Sequence, residues 1–172
     1  MTESFPRQQA KTQRFTLGAP RSVQISPDGS RVAFLRSQGG TDPITCLWVL
    51  DVGTGQERLV ADPAALHAID GDLPAEEKAR RERTREQAGG IVAFATDADL
   101  TMASFALAGR VYLADLTGPA GQGPREAGAR SPALDPRPDP TGTRIAYVCQ
   151  GTLRMLETGT GQDTAEIGRA HV

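Results

Sequence analysis

The chain has 172 residues, 38% of them apolar and 5% aromatic, with 19 glycines and 12 prolines; this is enough apolar material for a core, and a turn density that favours short strands over long helices. Its formal net charge of −2 provides no field to attract nucleic acid or an anionic membrane surface. Nothing approaches the ~18 consecutive apolar residues of a membrane span, and Met1 to Arg7 lacks the apolar core of a signal peptide, so the expectation is a cytoplasmic protein with neither nucleic acid nor membrane as partner.

The first ordered unit opens at Ser26-Pro27-Asp28-Gly29 and runs into Ser30-Arg31-Val32-Ala33-Phe34-Leu35. Proline presets φ for the second position of a tight turn and glycine supplies the positive φ that follows; the apolar run after it is too short for a helix and rich in strand-forming residues. A second apolar run, Cys46 to Val52, enters Gly53-Thr54-Gly55-Gln56, a hairpin signal, and a third strand is expected over Arg58 to Ala61. The unit therefore reads strand, turn, strand, turn, strand.

Residues 73–87, beginning Leu73-Pro74-Ala75-Glu76-Glu77, form a different kind of segment. Proline in the first turn and acids ahead of bases predict a helix, and pairs such as Glu76 with Arg80 four residues on are worth a few tenths of a kcal/mol each. Its glutamates interleave with its basic residues, which predicts a solvated surface helix and not a nucleic-acid patch.

The turn-and-strand unit then recurs. A degenerate copy stands at Phe94 to Asp99 with strands over Met102 to Ala106 and Arg110 to Asp115, and a clear one at Asp139-Pro140-Thr141-Gly142 with strands over Thr143 to Val148 and Leu153 to Glu157, closing on Gly159-Thr160-Gly161-Gln162. Asp97 and Asp139 are 42 residues apart. Repeats of about 40–50 residues with four short strands each are propeller blades. The expected fold is thus all-β: a partial β-propeller of about three four-stranded blades with one inserted surface helix, the first blade at about 20–62, the second at about 90–130 and the third at about 131–166.

Reactive side chains are few. The nucleophile elbow Gly-x-Ser-x-Gly of an α/β-hydrolase does not occur in the sequence. His67, after Asp62-Pro63, reads as a loop residue without a matching nucleophile, and His171 lies at the end of the chain. Asp97 and Asp99 lack further ligands at calcium-loop spacing and read as turn-formers, while Gly118 to Pro124 has no Lys-Ser/Thr behind it and reads as turns. Cys46 and Cys149 fall in separate apolar segments and are expected to be buried free thiols. No catalytic, cofactor-binding or metal-ligating residue is assigned.

Gln13-Arg14-Phe15-Thr16-Leu17-Gly18-Ala19-Pro20, the Ser26 to Arg36 segment and Leu47-Trp48-Val49-Leu50-Asp51, together with the insertion from Leu73 to Arg85, resemble the start of a propeller from the dipeptidyl-peptidase-IV branch of the prolyl oligopeptidase family. The resemblance covers nearly the whole chain. It implies an N-terminal propeller that caps a C-terminal α/β-hydrolase domain carrying a Ser-Asp-His triad, gates short peptide substrates, and is itself non-catalytic. The branch binds the substrate's free amine with paired propeller glutamates; Glu76-Glu77 lies in the surface helix and is not that pair, which is expected beyond residue 172. The Ser-Pro-Asp-Gly turn is shared with TolB-like and WD-like propellers, so a non-enzymatic propeller used for protein binding is the alternative.

Ile167-Gly168-Arg169-Ala170-His171-Val172 reverse-translates as ATC GGA AGA GCA CAC GTC, the opening of a widely used sequencing adapter. Residues 167–172 are accordingly expected to be read-through, and the third blade to be cut before its outer strand.

Overall fold

The computed structural model describes residues 4–66, 79, 89–119 and 121–167. A short helix, α1 (Phe5–Lys11), comes first. It has seven residues, none buried, so no apolar stripe marks it in the sequence, and Phe5 meets Phe15 with ring centroids 5.9 Å apart.

Three antiparallel sheets follow in chain order. The first contains β1 (Arg21–Ile25), β2 (Arg31–Ser37), β3 (Ile44–Asp51) and β4 (Gln56–Ala61), and β5 (Gly89–Gly90) adds a short parallel pairing to β3. The second contains β6 (Ala95–Thr96), β7 (Met102–Leu107), β8 (Arg110–Asp115) and β9 (Arg125–Glu126), and the third β10 (Ala133–Pro138), β11 (Arg144–Cys149), β12 (Thr152–Glu157) and β13 (Asp163–Ile167). Apart from β5, each sheet is a four-stranded meander whose strands pair with their chain neighbours. Together they are three consecutive blades of a β-propeller.

The turns explain why the repeats begin where they do. Asp28 Oδ1 accepts hydrogen bonds from the Ser30 amide at 3.0 Å and the Ser26 hydroxyl at 2.6 Å, and Gly29 takes φ of 70°. In the third blade Asp139 Oδ1 accepts from the Thr143 amide at 2.9 Å, with Gly142 at φ of 69°. The degenerate second copy keeps the acid but not the glycine: Asp97 Oδ1 accepts from the amides of Thr101 at 2.7 Å and Met102 at 3.0 Å, while Leu100 adopts φ of 54°. A left-handed conformation costs a residue with a Cβ about 1–2 kcal/mol; Leu100 offsets this by being 2% exposed within the core.

Strand alternation builds the packing between blades. On the middle sheet, Ala103, Phe105, Leu107, Tyr112 and Ala114 join Ala33, Leu35, Leu47 and Val49 of the first sheet in one core. Val111, one position out of phase with them, joins Ala133, Tyr147, Cys149 and Leu156 of the third. A sheet used on both faces is what stacking around a common axis demands. Ser104 is fully buried and donates to the carbonyl of Pro136 at 3.0 Å, so its hydroxyl is satisfied across the second seam.

The third blade is not cut before its outer strand, because β13 completes the sheet, with Leu153 paired to Ile167 and Leu156 to Asp163. The helix expected over 73–87 lies outside the described residues apart from Ala79. Among the described residues no helix is long and apolar enough to cross a membrane.

Candidate functional site

One cleft among the described residues lies between the first and second blades. At the first seam, two arginines reach from the first blade to backbone carbonyls of the second: Arg31 Nη2 donates to Asp99 O at 3.1 Å, and Arg58 Nη2 to Leu116 O at 3.0 Å. Both line a cleft of about 590 Å³ whose walls include Val49, Asp51, Glu57 and Leu116. Sheet register puts them there, since Arg31 stands opposite Asp51 and Arg58 opposite Val49.

The second blade repeats the register, beside a cleft lined by its own residues alone. Met102 stands opposite Asp115 and Arg125 opposite Leu113, the same register one blade on. These four residues line a cleft of about 540 Å³, and Arg125 Nη2 donates to Thr158 O of the third blade at 3.4 Å. The difference is that methionine occupies the position of Arg31.

The acids of both clefts are internally committed. Asp51 Oδ1 accepts from the Thr54 amide and hydroxyl, both at 2.7 Å, and the hydroxyl bond foremost holds this carboxyl below its usual range. Asp115 is held down in the same way by the Thr117 hydroxyl at 2.8 Å, assisted by the amides of Thr117 and Gly118. Glu57 pairs with Arg36 through two contacts of 3.1 and 2.5 Å, and the Arg36 guanidinium lies 4.6 Å from the ring centre of Trp48 and 5.3 Å from that of Phe34. Arg31 is less settled. Its Nε is buried and has no hydrogen-bond partner among the described residues.

The third blade holds a polar knot. Tyr147 donates to Asp163 Oδ2 at 2.7 Å and accepts from the Arg130 amide at 2.9 Å, while Arg154 Nε donates to Asp163 Oδ1 at 2.9 Å. Burial, then the Asp163 carboxylate, push the Tyr147 phenol above its usual value. Every group is satisfied, which marks a structural network.

Asp97 is the turn acceptor of the second blade, and the Thr101 hydroxyl also donates to its Oδ2; Asp99 contributes its carbonyl to Arg31. Cys46 and Cys149 are buried free thiols in different sheets. Burial, then the neighbouring Asp62 carboxylate, push the Cys46 thiol up to about 12. Among the described residues no three His, Cys, Asp or Glu side chains are grouped to hold a metal ion. His67, His171 and Glu76-Glu77 lie outside the described residues. Sequence reading missed the paired arginines; their signal was the register shared by Arg58 and Arg125, hidden because β9 has only two residues.

No protein-family model matches the chain. Among solved structures it is similar to hydrazine synthase from Kuenenia stuttgartiensis, at 14% identity and a TM-score of 0.49, over 87% of this chain and 36% of that one. It is also similar to a chain of a nidogen/laminin complex, at 10% identity and a TM-score of 0.49, over 86% of this chain and 46% of that one. The chain spans less than half the length of either.

Proposed function

We propose that the chain is the N-terminal part of a propeller from a serine exopeptidase of the dipeptidyl-peptidase-IV branch of the prolyl oligopeptidase family, non-catalytic itself and serving in its parent to gate and admit short peptides. The observation that carries this reading is the sequence pattern at the first blade: the Gln13 to Pro20 leader, the Ser26-Pro27-Asp28-Gly29 corner and the Leu47 to Asp51 strand, followed by the acidic-basic insertion from Leu73 to Arg85. Three sister sheets in chain order are compatible with it. On this reading the partner is a C-terminal α/β-hydrolase domain of the same parent chain, and the chemistry belongs to a Ser-Asp-His triad there.

The test is to extend the reading frame and assay the product. A downstream Gly-x-Ser-x-Gly, release of dipeptides from chromogenic peptide substrates, and labelling of that serine by a fluorophosphonate are expected. A reading frame that ends after further blades without the pentapeptide would refute the peptidase and leave the protein-binding propeller.

A further inference from the structure

We propose that two copies of the chain associate head to tail, the third blade of each packing on the first blade of the other, and so close a ring of six sheets. This does not rest on the peptidase reading; further blades in a longer chain would take the same two faces, so the association is a property of the 172-residue chain.

The blades align position by position, because in each the amide at the turn bonds to the carbonyl five residues on: Ser26 to Arg31, Asp97 to Met102, Asp139 to Arg144. Alternate residues of the paired strands then face the preceding or the following blade. Phe105 and its cross-strand partner Tyr112 face back, into the core shared with the first sheet. Ala33, Leu35, Leu47 and Val49 face forward into that same core and are at most 5% exposed.

One such face is left over at each end. Among the described residues no apolar core joins the forward face of the third sheet or the backward face of the first to another sheet. On the third blade Ala146 pairs with Met155 and Val148 with Leu153, as Ala33 pairs with Val49 and Leu35 with Leu47. All four are half-buried where their counterparts are buried. On the first blade Phe34 stands opposite Trp48 and Val32 opposite Leu50, as Phe105 stands opposite Tyr112 and Ala103 opposite Ala114. Val32, Trp48 and Leu50 are half-buried where Ala103, Tyr112 and Ala114 are buried. Arg36 lies over Phe34 and Trp48 but is paired with Glu57, so it brings no net charge to the face.

The two leftover faces are thus the two halves of a seam this chain already forms, an aliphatic face against an aromatic pair. A second copy supplies the missing half at both ends at once. The polar margin agrees: Arg31 donates to the carbonyl of Asp99, two residues past Asp97 in the next turn. Arg144 is exposed and stands opposite Glu157 as Arg31 stands opposite Asp51, and its matching acceptor is the carbonyl of Asp28, two residues past Ser26, in the other copy. Head-to-tail contacts close into a ring when their rotation allows, and propellers close with about four to eight blades, a range that two copies reach and one does not.

Sedimentation velocity of the 172-residue chain across micromolar concentrations is expected to show a monomer–dimer equilibrium. Met155→Lys blocks the forward face and Leu50→Lys the backward one; each should weaken dimerisation by about tenfold or more with the circular dichroism spectrum unchanged. Phe5→Lys, at a ring 64% exposed on α1, should leave it intact. Mixing Met155→Lys with Leu50→Lys should restore a dimer weaker than wild type, because one of the two contacts forms, whereas pairing of like faces would let one variant dimerise alone. A monomer at every concentration would overturn the proposal without any variant; so would assembly beyond a dimer, wild-type dimerisation by either folded variant, or no dimer in the mixture.

Discussion

Replacing Phe105 by alanine tests whether the blades are held by their shared apolar faces. The ring is 0% exposed, sits in the core common to the first and second sheets, and stacks on Tyr112 with centroids 5.6 Å apart and planes 13° apart. Removing a fully buried phenyl ring costs its transfer free energy plus the cavity left behind, about 3–5 kcal/mol, and the lost aromatic pair accounts for about 0.5–1.5 kcal/mol within such totals. A domain has only about 5–15 kcal/mol in hand, so Phe105→Ala should lower the urea midpoint severely. The assay is urea unfolding followed by circular dichroism and by the fluorescence of Trp48, the sole tryptophan. Phe5→Ala is the control, because that ring is 64% exposed and should change stability by no more than about 0.5 kcal/mol. If Phe105→Ala cost less than about 1 kcal/mol, the seam would not be a packed core and the blade arrangement argued above would be wrong.

Tyr147→Phe keeps the ring but removes the hydroxyl's bond to Asp163, which retains Arg154, and leaves the Arg130 amide without its acceptor; a hydrogen bond to a charged group is worth about 1.5–3 kcal/mol, and a loss of that order is expected in the same unfolding experiment. Cys46 should resist a thiol reagent such as dithiobis-nitrobenzoate at pH 8 in the folded protein and react at once in urea, since its thiol is raised from 9.0 to about 12. A folded-state value above the unfolded one means the contribution to stability is complete below about pH 9 and is lost as pH rises through about 12; Cys46→Ser should flatten that alkaline decline, and an unchanged pH profile would show that another group drives it. Gly90→Ala should cost more than about 1 kcal/mol, because its φ is +76° and a Cβ would lie 2.6 Å from the Thr45 carbonyl; wild-type thermal stability in that variant would show that the short β5 pairing is dispensable.

Much of this fold was legible before any coordinates. Proline and glycine at Pro27-Asp28-Gly29 and Pro140-Thr141-Gly142 fix local dihedrals, and a tight turn is decided by the few residues inside it. The short apolar runs behind them could only be strands. The second copy was harder, because Leu100 does the work of the missing glycine and its burial lies in a core that two sheets share. The fourth strands were the least visible: β9 has two residues, both exposed, and β13 carries few apolar residues. Helix α1 has no buried face to show.

The sequence by itself determined that the strands are short and that the repeat is a propeller repeat, because turn geometry and side-chain alternation are local properties. Only the tertiary structure decided that Arg31 and Arg58 meet at one cleft, that Met102 stands in for arginine at the next, and that Asp51 and Glu57 are already engaged. Those facts depend on contacts between residues up to 68 positions apart, and the distance along a chain at which two side chains will meet is set by how whole sheets stack, which no short window of residues contains.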